Sequence, residues 1–133
     1  MTLDELIELA AKEDIEVITI KTRTVPAISR EDGLVGYDPE KLETEAEKKH
    51  AVAHEIGHVL TDAFYNLDSP LDVRAKCEYK ADTRAAFLLI PPNQLRQAIS
   101  KGCTEYWQLA DEFQLPEPFI RRVCEIYKSK EYL

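Results

Sequence analysis

The stretch His54-Glu55-Ile56-Gly57-His58 places two imidazoles four residues apart, with a carboxylate beside the first. On a helix, positions four apart differ by about 40° in azimuth and roughly 6 Å in rise, so both rings lean from one face toward a common point. Zinc takes nitrogen ligands at about 2.0–2.1 Å in a tetrahedron, and a catalytic zinc keeps one corner for water. Glu55 would lie next to that water, placed to take its proton. The chemistry this HExxH pattern points to is therefore hydrolysis of a peptide bond.

Three fixed letters in five can arise by accident, so a third ligand is required. Downstream, Glu78 and Asp82 are again spaced four apart in a helical pattern. Glu78 can complete the metal shell, and Asp82 can hold the other ring nitrogen of a ligand histidine. The competing reading of these two is an ordinary solvated pair among Lys76, Lys80 and Arg84. For the HExxH residues the competing reading is an exposed polar face. Ala53, Ile56 and Val59 oppose it, because they set the triplet in apolar surroundings where unpaired charge is costly and a bound cation is not.

Two neighbours are read as bystanders. His50 stands one turn before His54, but it is offset from His58 by about 80° and roughly 12 Å of rise, which puts it on the surface or the site rim. Cys77 adjoins Glu78, and adjacent helical residues point about 100° apart. Tyr37, Tyr65 and Tyr79 are candidate transition-state donors that no spacing separates.

The second segment reads Glu78, Ala81, Asp82, Ala85, Leu88, Leu89 and Pro91. An HExxH helix followed by E-x-x-A-(N/D)-x-x-A-x-x-L-L-x-P resembles the ImmA/IrrE-type metallopeptidases, over roughly Gly33 to Pro92. The resemblance implies a cytoplasmic, zinc-dependent protease that cleaves a helix-turn-helix repressor and so lifts repression of mobile-element or stress-response genes. Arg84 departs from the aromatic residue usual at its position. The sensor and DNA-binding domains carried by some members are not evident, which leaves the control of such an enzyme open.

The elements that must position these residues are legible as patterns. Thr2 and Glu5 have capping-box spacing ahead of an apolar stripe, which predicts an opening helix. Ile15 to Thr22 is rich in β-branched residues and reads as a strand, and Pro26–Ser29 with Leu34–Asp38 read as a hairpin through Glu31-Asp32-Gly33. Leu34–Asp38 is the candidate edge for pairing with an extended substrate, and it is expected to lead straight into the metal helix. That helix is predicted from Leu42 to Thr61, capped by Thr44 and Glu47. Gly57 inside it implies close approach of another backbone, since glycine there costs about 1 kcal/mol relative to alanine. Ser69 as cap, Pro70 in first position and Asp72 predict a second helix to Ile90, ended by Pro91-Pro92. Three more helices are expected at Asn93–Lys101, Thr104–Phe113 and Pro116–Lys130.

These readings combine into a single α+β, zincin-like domain over residues 1–133: a small N-terminal β-sheet, the HExxH helix, a second ligand-bearing helix, and a helical C-terminal extension at 93–133. The 133 residues suffice for one domain with a core. The net charge is −8, and the whole excess lies in residues 1–92. That balance disfavours nucleic-acid binding and suits a basic protein partner, although acidic surface also simply aids solubility. The C-terminal pair of helices resembles a helix-turn-helix only weakly, and Leu109, Phe113, Ile120 and Val123 serve equally as packing residues. Three cysteines without a CxxC pair fit reduced thiols. The acidic N-terminus is unlike a signal peptide, and Ala85–Ile90 is too short to cross a membrane. The rival to an enzyme is a module with a structural zinc that sequesters a regulatory protein.

Overall fold

A computed structural model describes residues 1–133. Thr2 opens the first helix as expected: its hydroxyl accepts the Glu5 amide at 3.1 Å, and α1 (Leu3–Lys12) buries Leu6 and Ala10. The sheet that follows has three strands, β1 (Glu16–Thr19), β2 (Ala27–Ser29) and β3 (Leu34–Tyr37). β2 and β3 form the antiparallel hairpin, with Ile28 opposite Gly36. β1 then pairs in parallel with the other side of β3, Val17 against Val35, giving the order β1-β3-β2.

This order corrects the expected edge. β3 is the central strand, so both of its main-chain sides are occupied; the edges are β1 and β2, and of these β2 lines the cleft described below. The first strand is also shorter than its β-branched run. Ile20 still donates its amide to the Tyr37 carbonyl at 2.9 Å, but Thr22 turns away to bond Asp38. The buried Asp38 carboxylate accepts the Thr22 amide at 2.9 Å and the Glu40 amide at 3.0 Å, with Lys41 Nζ at 3.2 Å. It thereby stabilises a 3-10 turn at Pro39–Lys41 that separates β3 from the next helix.

α2 spans Glu45–Thr61 rather than starting at Leu42, which is extended and buried. The capping pair explains the later start: Thr44 Oγ1 accepts the Glu47 amide at 3.1 Å, and the Glu47 carboxylate accepts the Glu43 amide at 2.8 Å. α2 packs against the sheet and against α3 (Leu71–Leu89). The α3 start also differs from expectation. Pro70 takes the cap position and Ser69 Oγ accepts the Asn66 amide at 3.1 Å, closing a turn instead of capping the helix.

Gly57 is where α2 and α3 touch most closely. A methyl group there would overlap the Ala81 carbonyl oxygen, a backbone atom that cannot swing aside. Gly57→Ala should therefore lower the melting temperature. Overpacking costs about 1–3 kcal/mol, against about 1 kcal/mol gained in helix propensity. Thermal unfolding checks this, and an unchanged or raised midpoint would contradict the close approach.

α4 (Pro92–Ser100), α5 (Tyr106–Phe113) and α6 (Glu117–Ser129) complete the chain. Phe119, Ile120, Val123 and Ile126 of α6 share one apolar cluster with Leu6, Val52, Ile56 and Leu89. The buried Tyr127 hydroxyl donates to the Ile90 carbonyl at 2.6 Å, which fixes α6 to the end of α3. Lys49 is also buried and donates to the carbonyls of Met1 at 3.0 Å and Phe113 at 2.9 Å, so α2 is tied to the N-terminus and to the end of α5. No helix is long and apolar enough to cross a membrane.

Candidate metal centre

The α2–α3 contact brings His54, His58 and Glu78 together, with one ligand-type atom from each lying within 4.8 Å of the others. His54 Nε2 is 2.8 Å from one Glu78 oxygen, and His58 Nε2 is 3.1 Å from the other. The remaining ring nitrogens are taken up behind them. His54 Nδ1 meets Asp82 Oδ1 at 2.9 Å, and His58 Nδ1 meets the Ala63 carbonyl at 2.6 Å.

Those partners fix the tautomers. A carbonyl and an ionised carboxylate can only accept, so each Nδ1 carries a proton, and it is Nε2 of each ring that faces Glu78 and is left to ligate a metal. The Ala63 carbonyl is delivered by the end of α2. Asp62 adopts a left-handed conformation (φ 51°), tolerated by aspartate, and the Ala63 amide donates back to the His58 carbonyl at 3.1 Å.

Two imidazoles and a carboxylate form a donor set suited to zinc. Tetrahedral ligands at about 2.0–2.1 Å stand about 3.3–3.4 Å apart, so the spacings at Glu78 need open by only a few tenths of an ångström. The electrostatics also call for a cation. Burial by itself would lower the His54 pKa, yet the carboxylates of Asp82, Glu55 and Glu78 raise it to about 8. The site gathers negative charge that a proton or a metal ion must balance.

Glu55 is held next to this group. Ser29 of β2 donates its hydroxyl to Glu55 Oε1 at 2.8 Å. Burial raises the Glu55 pKa, against the opposing pull of the Ser29 hydrogen bond and the two histidines. A carboxylate shifted toward neutrality is better matched to proton transfer near pH 7.

His50 lies at the rim as expected, with its ring centroid 6.4 Å from that of His54 and 4.3 Å from that of Phe119. Burial, followed by repulsion from His54, lowers its pKa to about 4. Cys77 is directed elsewhere, its thiol 3.7 Å from the Phe64 carbonyl. Of the three tyrosines only Tyr65 lines the cleft, where its hydroxyl donates to Glu78 at 3.0 Å.

The cleft has a volume of about 1080 Å³. Val25 to Ser29 form one wall, Phe64, Tyr65 and Leu67 another, and Pro116, Pro118 and Phe119 close one part of it, with His54, Glu55 and His58 also lining it. Sequence reasoning did not single out Ser29, the Ala63 carbonyl, Phe119 or Arg122, whose Nε lies 3.1 Å from Asp82 Oδ2. Ser29 and Arg122 are ordinary surface-type residues whose partners are 26 and 40 positions away. A backbone carbonyl leaves no mark in a sequence.

Comparison with curated proteins and with solved structures gave no match. The IrrE N-terminal-like domain of the M78 peptidases matches residues 36–124, about two-thirds of the chain, and that span holds His54, Glu55, His58, Glu78 and Asp82. On that match and this geometry, the chain belongs to the M78 peptidase family.

Proposed function

We propose that the protein is a zinc-dependent endopeptidase in which His54, His58 and Glu78 hold the ion, Asp82 orients His54 and Glu55 is the general base. The observation that carries this reading is the convergence of two imidazole Nε2 atoms and one carboxylate at the side of an open cleft. A structural zinc would instead be enclosed by protein ligands.

When bound, zinc supplies Lewis acidity that activates water and polarises the scissile carbonyl. Glu55 takes the proton from the attacking water and returns it to the leaving amine. Ser29 engages one Glu55 oxygen and leaves the other available for that transfer. Tyr65, at the cleft beside Glu78, is the tyrosine best placed to donate to the developing oxyanion.

An extended substrate would pair with β2. The hydrogen bonds from Asp38 to the Pro26 carbonyl and from Arg30 to the Leu34 carbonyl mark Pro26 and Arg30 as facing β3. The alternation of an antiparallel ladder then turns the main-chain groups of Ala27 and Ser29 off the sheet, along a wall of the cleft.

The substrate in this reading is a helix-turn-helix repressor in the cytoplasm, with lifted repression as the result. Resemblance to the ImmA/IrrE-type enzymes motivates it, and the net charge of −8 suits a basic, DNA-binding partner. The three free cysteines accord with a reducing compartment. The test is incubation with the repressor-like protein encoded nearest its own gene, with and without a chelator. Cleavage at one site that the chelator stops is the expected result. Tight binding without cleavage would support the sequestering module instead.

A further inference from the structure

We infer that α6 is an integral part of the metal centre, and that Arg122 is a positioning residue that fixes the ligand His54 by holding Asp82. The inference rests on the zinc reading above and adds to it a residue from the C-terminal helices.

The Asp82 carboxylate is engaged at both oxygens. Oδ1 accepts from His54 Nδ1 at 2.9 Å, and Oδ2 accepts from Arg122 Nε at 3.1 Å. The terminal torsion of an aspartate is broad, so one hydrogen bond would leave the carboxylate free to rock. Two bonds from opposite sides set its plane, and with it the plane of the imidazole.

Arg122 is itself restrained. Its guanidinium lies over the Tyr79 ring at 5.6 Å and stands 3.7 Å from the Glu125 carboxylate. The helix beneath it is anchored by buried Ile120 and Val123 and by the Tyr127–Ile90 hydrogen bond. A rigid path therefore runs from α6 through Asp82 on α3 to His54 on α2. Phe119, three residues before Arg122, packs its ring on His50 in the same cleft, so one helix shapes the wall and steadies a ligand.

Charge and position act in opposite directions here, which makes the inference testable. Arg122 is a cation near a dication, so electrostatics alone would have its removal tighten zinc. Loss of orientation would loosen it. The measurement is the rate of zinc release from the full chain to a chelating dye, for Arg122→Leu and Arg122→Lys, each also made in an Asp82→Ala background, with circular dichroism as the check of folding.

Release should be about tenfold faster in Arg122→Leu, the lower end of what partners of metal-bound histidines contribute. Arg122→Lys, which keeps a cationic donor, should recover most of that loss. In the Asp82→Ala background neither change should matter further, as expected for residues acting in series. Unchanged or slower release in Arg122→Leu overturns the inference, as does a tenfold effect that persists without Asp82. A parent chain that binds no zinc would overturn the reading of the site and this inference with it.

Discussion

Glu55→Gln is expected to leave one zinc per chain and to lower cleavage of the protein substrate by about 10²–10⁴-fold, the usual contribution of a positioned general base. Glutamine keeps the shape of glutamate and still offers an oxygen to the Ser29 hydroxyl, so the packing between β2 and α2 should survive. It has no basic oxygen, so the attacking water keeps its proton. Metal retention follows from the geometry, because Glu55 is not among the converging ligand atoms. Single-turnover cleavage with metal analysis on the same sample measures both. Near-parental turnover in the variant would remove Glu55 from its role.

Glu78→Gln has the second large effect, acting on the metal itself. Partners that only orient a ligand are worth about 10–100-fold in affinity, so loss of the anionic ligand should weaken zinc by about a hundredfold or more. Glu78 is the best of the three proposed ligands for this test. Its side chain is 37% exposed whereas that of His58 is 8%, so an amide in its place opens no cavity that would unfold the protein for another reason. Cys77→Ala is the control: its thiol faces the Phe64 carbonyl, and zinc affinity should not change. Competition against a zinc-binding dye checks both. Loss of zinc from the Cys77 variant, or full affinity in Glu78→Gln, would reassign the third ligand.

The parts of this site that a reader of the sequence can find are those built on local spacing. His54, Glu55 and His58 sit on one helix, so a period of 3.6 residues settles which way they point. Glu78 and Asp82 use the same rule on α3, and Gly57 signalled the close approach of Ala81 because a glycine in mid-helix needs a reason. Cap signals placed α1 and α2 for the same cause, since Thr2 and Thr44 act on amides three residues away.

What could not be read lies in long-range pairing. Nothing in Val17 or Val35 announces that they stand side by side in parallel, and the adjacent β2–β3 hairpin made Leu34–Asp38 look like an edge. Ser69-Pro70 read as a cap and first residue, but Ser69 is spent on the Asn66 turn and the helix begins one residue later. The hold of Ser29 on Glu55 and of Arg122 on Asp82 exists only once strand, helix and C-terminal helix have packed.

The most direct measurement of the central claim is X-ray absorption at the zinc edge of the loaded protein. The expected spectrum shows one zinc per chain with nitrogen and oxygen neighbours at about 2.0–2.1 Å and the outer-shell scattering of two imidazoles. A sulfur neighbour at about 2.3 Å, or fewer than two imidazoles, would contradict coordination by His54, His58 and Glu78.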